Sequence, residues 1–228
     1  MILAAGLGTR LRPWTDRKPK ALLEYHGMTL LEYAIRKLIL AGYNEIIINV
    51  HHHAELIMDY VESRKSFGIR IAFSDESDKL LDTGGGIRKA AWFFGNEPFP
   101  VFNVDIQSTI DLRNMGEYHM ERRALVTLAV KERPTSRSLL MDAEGALKGW
   151  RNNRTGDTVM VRDHTGPLKP IAYSGIQVID PELFRFFPRE DRFPIIPFYL
   201  ELAETQPVFL YRHDQDEWID MGKKESYG

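Results

Sequence analysis

The sequence predicts an α/β fold: one domain spanning residues 1–228, built on a mostly parallel mixed sheet with helices on both faces and a more antiparallel second half. Three observations predict it. Short β-branched runs alternate with stretches of helical apolar spacing through the first half, which is the pattern of βαβ units. After about residue 125 strand-like runs follow one another across turns rich in Gly, Asn and Asp. No linker of Pro, Gly or Ser, no internal repeat and no low-complexity tract divides the chain.

Met1–Ala5 is a short apolar run that stops at glycine. From Thr29 to Ala41, apolar residues recur at Leu30, Leu31, Tyr33, Ala34, Leu38 and Ala41, a helical spacing that Gly42 ends. Glu45–Val50 reads as a buried strand, Ala54–Glu62 as a helix, Arg70–Phe73 as a strand, Ile87–Phe94 as a helix and Phe99–Phe102 as a strand. In the second half, Leu125–Val130, Ser138–Met141, Leu147–Trp150 and Ile171–Ile179 read as strands. A helix, Ile195–Thr205, follows, then two short runs at Val208–Tyr211 and Trp218–Ile219. The outline is Rossmann-like.

Composition narrows the function. Hydrophobic content of 43% and charged content of 27% are those of an ordinary globular protein. A net charge of −2 gives no basic footprint for a nucleic-acid polymer, so an anionic ligand must be gripped by a local site. The absence of cysteine excludes disulfides, thiolate nucleophiles and thiolate zinc sites together. The opening apolar run is too short for a signal peptide, and no window approaches the roughly 18–20 apolar residues of a membrane helix. The expectation is a soluble cytoplasmic protein without a membrane partner. Nothing in the sequence specifies an oligomeric state.

The informative stretch is Ala4-Ala5-Gly6-Leu7-Gly8-Thr9-Arg10-Leu11-Arg12-Pro13-Trp14-Thr15, followed by Lys18-Pro19-Lys20. A strand running into glycines lets several backbone N–H groups converge on one anion, because no Cβ blocks the approach. Arg10, Arg12, Lys18 and Lys20 add mobile positive charge within a few residues, which is what a polyphosphate requires. The dinucleotide fingerprint G-x-G-x-x-G fails at Leu11, and no lysine follows a glycine at P-loop spacing. The plain alternative is a tight turn with solvated basic residues.

The opening G-x-G-T-R-L-x-P-x-T followed by P-K resembles the signature of the sugar-phosphate nucleotidyltransferases, also called nucleotide-sugar pyrophosphorylases. The resemblance continues through Asp82-Thr83-Gly84-Gly85-Gly86, Asn103-Val104-Asp105, Tyr173-Ser174-Gly175-Ile176 and Trp218-Ile219-Asp220-Met221-Gly222. Within the family, the D-T-G-G-G and W-I-D-M-G versions look most like the N-acetylmuramate 1-phosphate uridylyltransferases of cell-wall recycling.

The resemblance implies a set of roles. Ala5, Gly6, Gly8, Thr9, Arg10 and Lys20 would hold the nucleotide, with Arg10 on the leaving β- and γ-phosphates and Lys20 on the α-phosphate and the incoming sugar phosphate. Asp82, Thr83 and Gly84 would face base and ribose; read from composition, the three glycines offer exposed backbone in a loop before a helix starting near Ile87. A plain helix N-terminus capped by Asp82 or Thr83 is the alternative. Asp105 closes a strand, and in open α/β sheets ligands collect outside the carboxyl ends of strands. In the family, the acids matching Asp105 and Asp220 bind Mg²⁺, which usually takes only one or two protein carboxylates. Tyr173 and Gly175 fall on the sugar side, with tyrosine where some relatives have asparagine.

The implied reaction is an in-line attack of a sugar 1-phosphate on the α-phosphorus of a nucleoside triphosphate, releasing pyrophosphate. UTP and N-acetylmuramic acid 1-phosphate are the expected pair. The alternatives are a guanylyl- or thymidylyltransferase acting on mannose or glucose 1-phosphate, and a catalytically silent nucleotide-sugar sensor. His51-His52-His53 is expected to be a loop after a strand, because consecutive residues on an extended chain point to opposite faces. Trp92-Phe93-Phe94 is expected in the core and Glu121-Arg122-Arg123 on a solvated helix face.

Overall fold

In the computed structural model, which describes residues 1–227, β1 (Ile2–Leu3) is followed by a small hairpin, β2 (Glu24–Tyr25) and β3 (Met28–Thr29), and then α1 (Leu30–Leu40). Thr29 caps α1 by accepting the Glu32 N–H at 3.1 Å. Gly42, at φ +99°, turns the chain out of the helix. Then come β4 (Glu45–Val50), α2 (Ala54–Ser63), β5 (Arg70–Asp75), α3 (Asp82–Lys89), β6 (Phe99–Asn103), β7 (Ile106–Ser108) and α4 (Leu112–Glu121). The second half adds β8 (Val126–Lys131), β9 (Arg137–Met141), β10 (Leu147–Asn152), β11 (Thr158–Met160), β12 (Lys169–Ile179), α5 (Ile195–Ala203), β13 (Val208–Arg212) and β14 (Trp218–Asp220).

Ten of the strands form one sheet, with the central order β11-β10-β9-β12-β6-β1-β4-β5 and β8 and β13 branching from β12. The β6-β1-β4-β5 side is parallel throughout, and the β9, β10 and β11 side is antiparallel, as expected. Ile46, Ile47, Ile48 and Val50 are all buried, so β4 needs cover on both faces. One face carries α1, α2 and α4 through Leu31, Ile35, Ile57 and Met115; the other carries α3 and α5 through Ile87, Phe198 and Tyr199. The expected fold class holds.

Three expectations need correction. The Ile87–Phe94 helix is in fact α3, which begins five residues earlier at Asp82 and ends at Lys89, followed by a single 3₁₀ turn, Ala91–Phe93. Three glycines hid its first turns, because glycine is unfavourable in helices by about 1 kcal/mol each. Trp92 is 64% exposed and not core, since that turn leaves the face of α3; Phe93 and Phe94 remain partly buried against the core. The last helix stops at Ala203. The helix α4 was not legible as such, although Asp111 caps it through the N–H groups of Arg113 and Asn114.

Candidate active site

The chain leaves β1 at the carboxyl edge of the parallel strands and enters the glycine turn. Gly8 sits at φ +63°, and a Cβ there would meet the Thr15 methyl at 2.9 Å and the Lys20 Cβ at 3.2 Å. Only glycine fits that combination of left-handed backbone and close packing. The turn is fixed by the Gly8 carbonyl, which accepts from the Leu11 N–H and the Thr15 hydroxyl, each at 2.9 Å. The N–H groups of Gly6, Leu7, Gly8 and Thr9 donate to no acceptor among the described residues. Such consecutive free donors are a nest for an anion.

Pro19 sets the chain for a 3₁₀ turn, Lys20–Leu22, that buries Ala21 and Leu22 and aims Lys20 back across the glycines. Its ammonium donates to Asp105 Oδ2 at 2.6 Å, both side chains being nearly out of solvent. Asp105 occupies the turn between β6 and β7. Asp220 reaches the same place from the far end of the chain, because β14 pairs antiparallel with β7 and sets Asp220 opposite Ile106. The Met221 N–H then donates to the Asp105 carbonyl at 2.8 Å, and the Gly222 N–H to Asp220 Oδ1 at 2.9 Å.

A Cβ placed on Gly222 would stand 2.7 Å from Asp105 Oδ2, 2.8 Å from Arg10 Nη2 and 2.9 Å from Asp220 Oδ1. Two carboxylates and a guanidinium therefore surround one point. The donor set is hard oxygen, and two carboxylates are what Mg²⁺ usually takes from a protein, with substrate phosphates and water completing the shell. The residues fit such an ion. No group of three or more His, Asp or Glu able to hold a metal occurs among the described residues. His51 is occupied elsewhere, with its Nδ1 2.6 Å from the Glu76 carbonyl.

A cleft of about 300 Å³ opens beside this point, lined by Ala5, Gly6, Lys20, Asp82, Thr83 and Asp105. Its floor contains Asn49 and Glu76, which the sequence reading missed. Asn49 Oδ1 accepts the Ala4 N–H at 2.7 Å, and its amide donates to Glu76 Oε1 at 2.7 Å. Glu76 Oε2 accepts from the Leu81 N–H at 3.1 Å. Burial raises the Glu76 pKa, and the hydrogen bonds from Asn49 and Leu81 oppose that rise. This pair ties the glycine turn to the start of α3. The only sequence signal was a polar residue near the carboxyl end of a buried β-branched strand, where ligands collect.

The exposed glycine loop expected at residues 84–86 is not there. Gly84, Gly85 and Gly86 are buried inside α3, where a Cβ would strike the Phe193 ring, the Asp191 carbonyl and Glu76 Oε1 respectively. The Gly84 N–H donates to the Phe193 carbonyl at 3.0 Å, so it is not a free donor. Asp82, at φ +61°, and Thr83 present the helix start to the cleft instead. Thr9 and Arg10 are exposed, in a 3₁₀ turn beyond the glycines.

Comparison with known proteins decides the family. The nucleotidyl transferase profile matches residues 1–139, the segment that carries the glycine turn, Lys20, α3 and Asp105. The chain belongs to the nucleotidyl transferase family. Among relatives of this nucleotidyl transferase, the N-acetylmuramate alpha-1-phosphate uridylyltransferase of Caulobacter vibrioides is 31% identical over 89% of the chain and 83% of that protein. The UTP–glucose-1-phosphate uridylyltransferase of a Synechocystis species is 28% identical over all of the chain, which spans only 61% of that protein. Solved structures share the fold: HddC from Yersinia pseudotuberculosis superimposes with a TM-score of 0.79 at 23% identity, over 99% of this chain and 94% of that one. The UDP-glucose pyrophosphorylase of Acinetobacter gives 0.80 at 19%, over 99% and 89%.

The two residues expected on the sugar side divide. Gly175, at φ +76°, packs where a Cβ would meet Ile106 Cγ1 at 2.9 Å and Asn103 Nδ2 at 3.0 Å, beside the acid pair. Tyr173 instead lines a second, largely apolar cavity of about 510 Å³ with Trp150, Leu139 and Leu200. The structure does not bring its side chain to the cleft that holds Lys20 and Asp105.

Proposed function

We propose that this chain, acting as one nucleotidyltransferase domain, transfers UMP from UTP to a sugar 1-phosphate and releases pyrophosphate, with N-acetylmuramic acid 1-phosphate as the acceptor. The observation that carries the chemistry is the convergence of Arg10, Asp105 and Asp220 on one point beside a nest of free amides. The choice of UTP and of a muramic acid rests on the Caulobacter relative, which the chain matches over most of both lengths.

On this reading an oxygen of the sugar 1-phosphate attacks the α-phosphorus, a new P–O bond forms, and the bond to the β-phosphate bridging oxygen breaks. Phosphoryl-type transfer asks little covalent chemistry of the protein, so positioning and charge neutralisation carry the rate. The amides of Gly6 to Thr9 and the Arg10 guanidinium hold the leaving phosphates. Lys20 exchanges its ion pair with Asp105 for the α-phosphate and the incoming phosphate. Asp82 and Thr83 meet the base and ribose. A divalent cation such as Mg²⁺ on Asp105 and Asp220 supplies, when bound, positive charge to the phosphate oxygens of both substrates. The nucleophile is already ionised at neutral pH, so no general base is required.

No helix among the described residues is long and apolar enough to cross a membrane. On this reading the chain works in the cytoplasm on sugars recovered from the cell wall. The test is pyrophosphate release over a grid of UTP, dTTP, GTP, CTP and ATP against muramic, glucosamine, glucose and mannose 1-phosphates with Mg²⁺. The highest kcat/KM is expected for UTP with N-acetylmuramic acid 1-phosphate. A preference for GTP with mannose 1-phosphate would overturn the uridylyl reading.

A further inference from the structure

Arg133 is a cation that the mechanism above leaves unused. It lies in the turn after β8, and its guanidinium carbon sits 3.8 Å from the centroid of the Trp218 ring. Its Nη2 donates to the Tyr173 carbonyl at 2.7 Å, while its buried Nε has no partner. Among the described residues no carboxylate lies within ion-pair distance of it, whereas Arg212 pairs with Asp214 and Lys223 with Asp220. Its partners are therefore neutral: an indole face and a carbonyl.

The position of this group matters. Trp218 belongs to the strand that ends in Asp220, and Tyr173 stands two residues before Gly175 on β12. Arg133 thus spans the strand of one acid and the strand on the sugar side, whereas the free amides of the glycine turn and Lys20 stand on the nucleotide side. A half-buried guanidinium with no carboxylate in direct contact has lost hydration and gained little in return. Burial lowers its pKa, and the nearby Asp220 charge is what opposes the fall. Its planar fork matches the paired oxygens of a carboxylate or phosphate.

We propose that Arg133 binds an oxyanion of the acceptor sugar phosphate, either the carboxylate that distinguishes a muramic acid or the 1-phosphate common to all acceptors. This rests on the acceptor reading above. Trp218 holds the guanidinium plane by stacking, and the Tyr173 carbonyl fixes its rotation, so the remaining donors are presented ready for the ligand.

The experiment is calorimetric titration of N-acetylmuramic acid 1-phosphate and of N-acetylglucosamine 1-phosphate into protein saturated with a non-reacting UTP analogue and Mg²⁺. Wild type is compared with Arg133→Gln, which can still donate to Tyr173, and Arg133→Lys, which keeps the charge. Arg133→Gln should weaken acceptor binding about tenfold to a hundredfold, with Arg133→Lys between, and with the Kd of the analogue and the melting temperature unchanged. Weakening confined to the muramic acid assigns the carboxylate; equal weakening of both assigns the 1-phosphate. Acceptor affinity unchanged in Arg133→Gln overturns the proposal, as does weakening only in step with lower analogue affinity and melting temperature, which marks a structural tie. Wild type that binds neither sugar defeats the acceptor reading itself, and the proposal with it.

Discussion

Gly222 has room for no side chain because Asp105, Arg10 and Asp220 each come within 3 Å of where a Cβ would stand. Each carboxylate is held by a backbone partner of its own segment or by Lys20, so its removal should disturb charge more than shape. We predict that Asp105→Asn and Asp220→Asn each lower kcat about a hundredfold to a thousandfold, the equivalent of roughly 3–4 kcal/mol of transition-state stabilisation. Melting temperatures should stay near wild type, and EDTA should reproduce the loss; full activity in EDTA would remove the metal from the scheme. Lys20→Ala should lower kcat with little change in the KM for UTP, and a change confined to KM would reassign Lys20 to ground-state binding. Among these candidates Lys20 was legible because it lies within a few positions of the glycine turn, and Asp105 and Asp220, far apart in the chain, only through the family resemblance. Asn49 and Glu76 were not, because their pairing joins β4 to the residue after β5 across 27 positions, and no spacing rule encodes it.

At the scale of elements, α3 shows propensity losing to packing. A run of three glycines reads as a loop from composition, yet the helix forms because only glycine lets the segment around Asp191 and Phe193 lie against it. The same close approach sets the start of α3, and with it Asp82 and Thr83, at the cleft. Gly85→Ala would bring a Cβ onto the Asp191 carbonyl, a backbone atom that cannot swing aside. We expect it to cost about 1–3 kcal/mol despite alanine's better helix propensity, lowering the melting temperature by about 2–4 °C per kcal/mol. A variant that melts at or above the wild-type temperature would show that the contact is dispensable. The parallel strands were readable because strands buried on both faces are continuously apolar. The partners of β12 were not, since its eleven residues pair with β6, β8 and β9 in turn, with a register shift after Tyr173.

The molecule as a whole carries two histidines whose charge it suppresses. His119 and His213 are buried, and burial pushes both down from 6.5 to about 4. Each makes one ring-nitrogen hydrogen bond, with Thr127 Oγ1 at 2.9 Å and with Ser174 Oγ at 2.7 Å. A base with a depressed folded pKa takes up its proton first in the unfolded chain, so the stability it permits is complete above about pH 6.5 and is lost as pH falls toward 4. After discounting for partial solvent access, the two together should lower the melting temperature by about 4–8 °C between pH 7 and 5. Thermal scans across that range test it; a flat profile would mean that neither histidine is held neutral by the fold. Composition disclosed seven histidines but not these two, because burial is a property of the assembled sheet.

The pairing of β14 with β7 also fixes an order in time. The ribosome delivers the glycine turn first and Asp105 midway, and Asp220 arrives only after β13 has emerged. A chain halted between Asp105 and Asp220 therefore carries the glycine nest with only one of its two acids, and joining residues 105 and 220 closes one of the longest loops in the fold, a slow kind of contact to form. Activity should thus switch on at a single length during synthesis. Chains halted at Glu217 are expected to release no pyrophosphate above background; measurable turnover from them would show that the late strand is not what completes the enzyme.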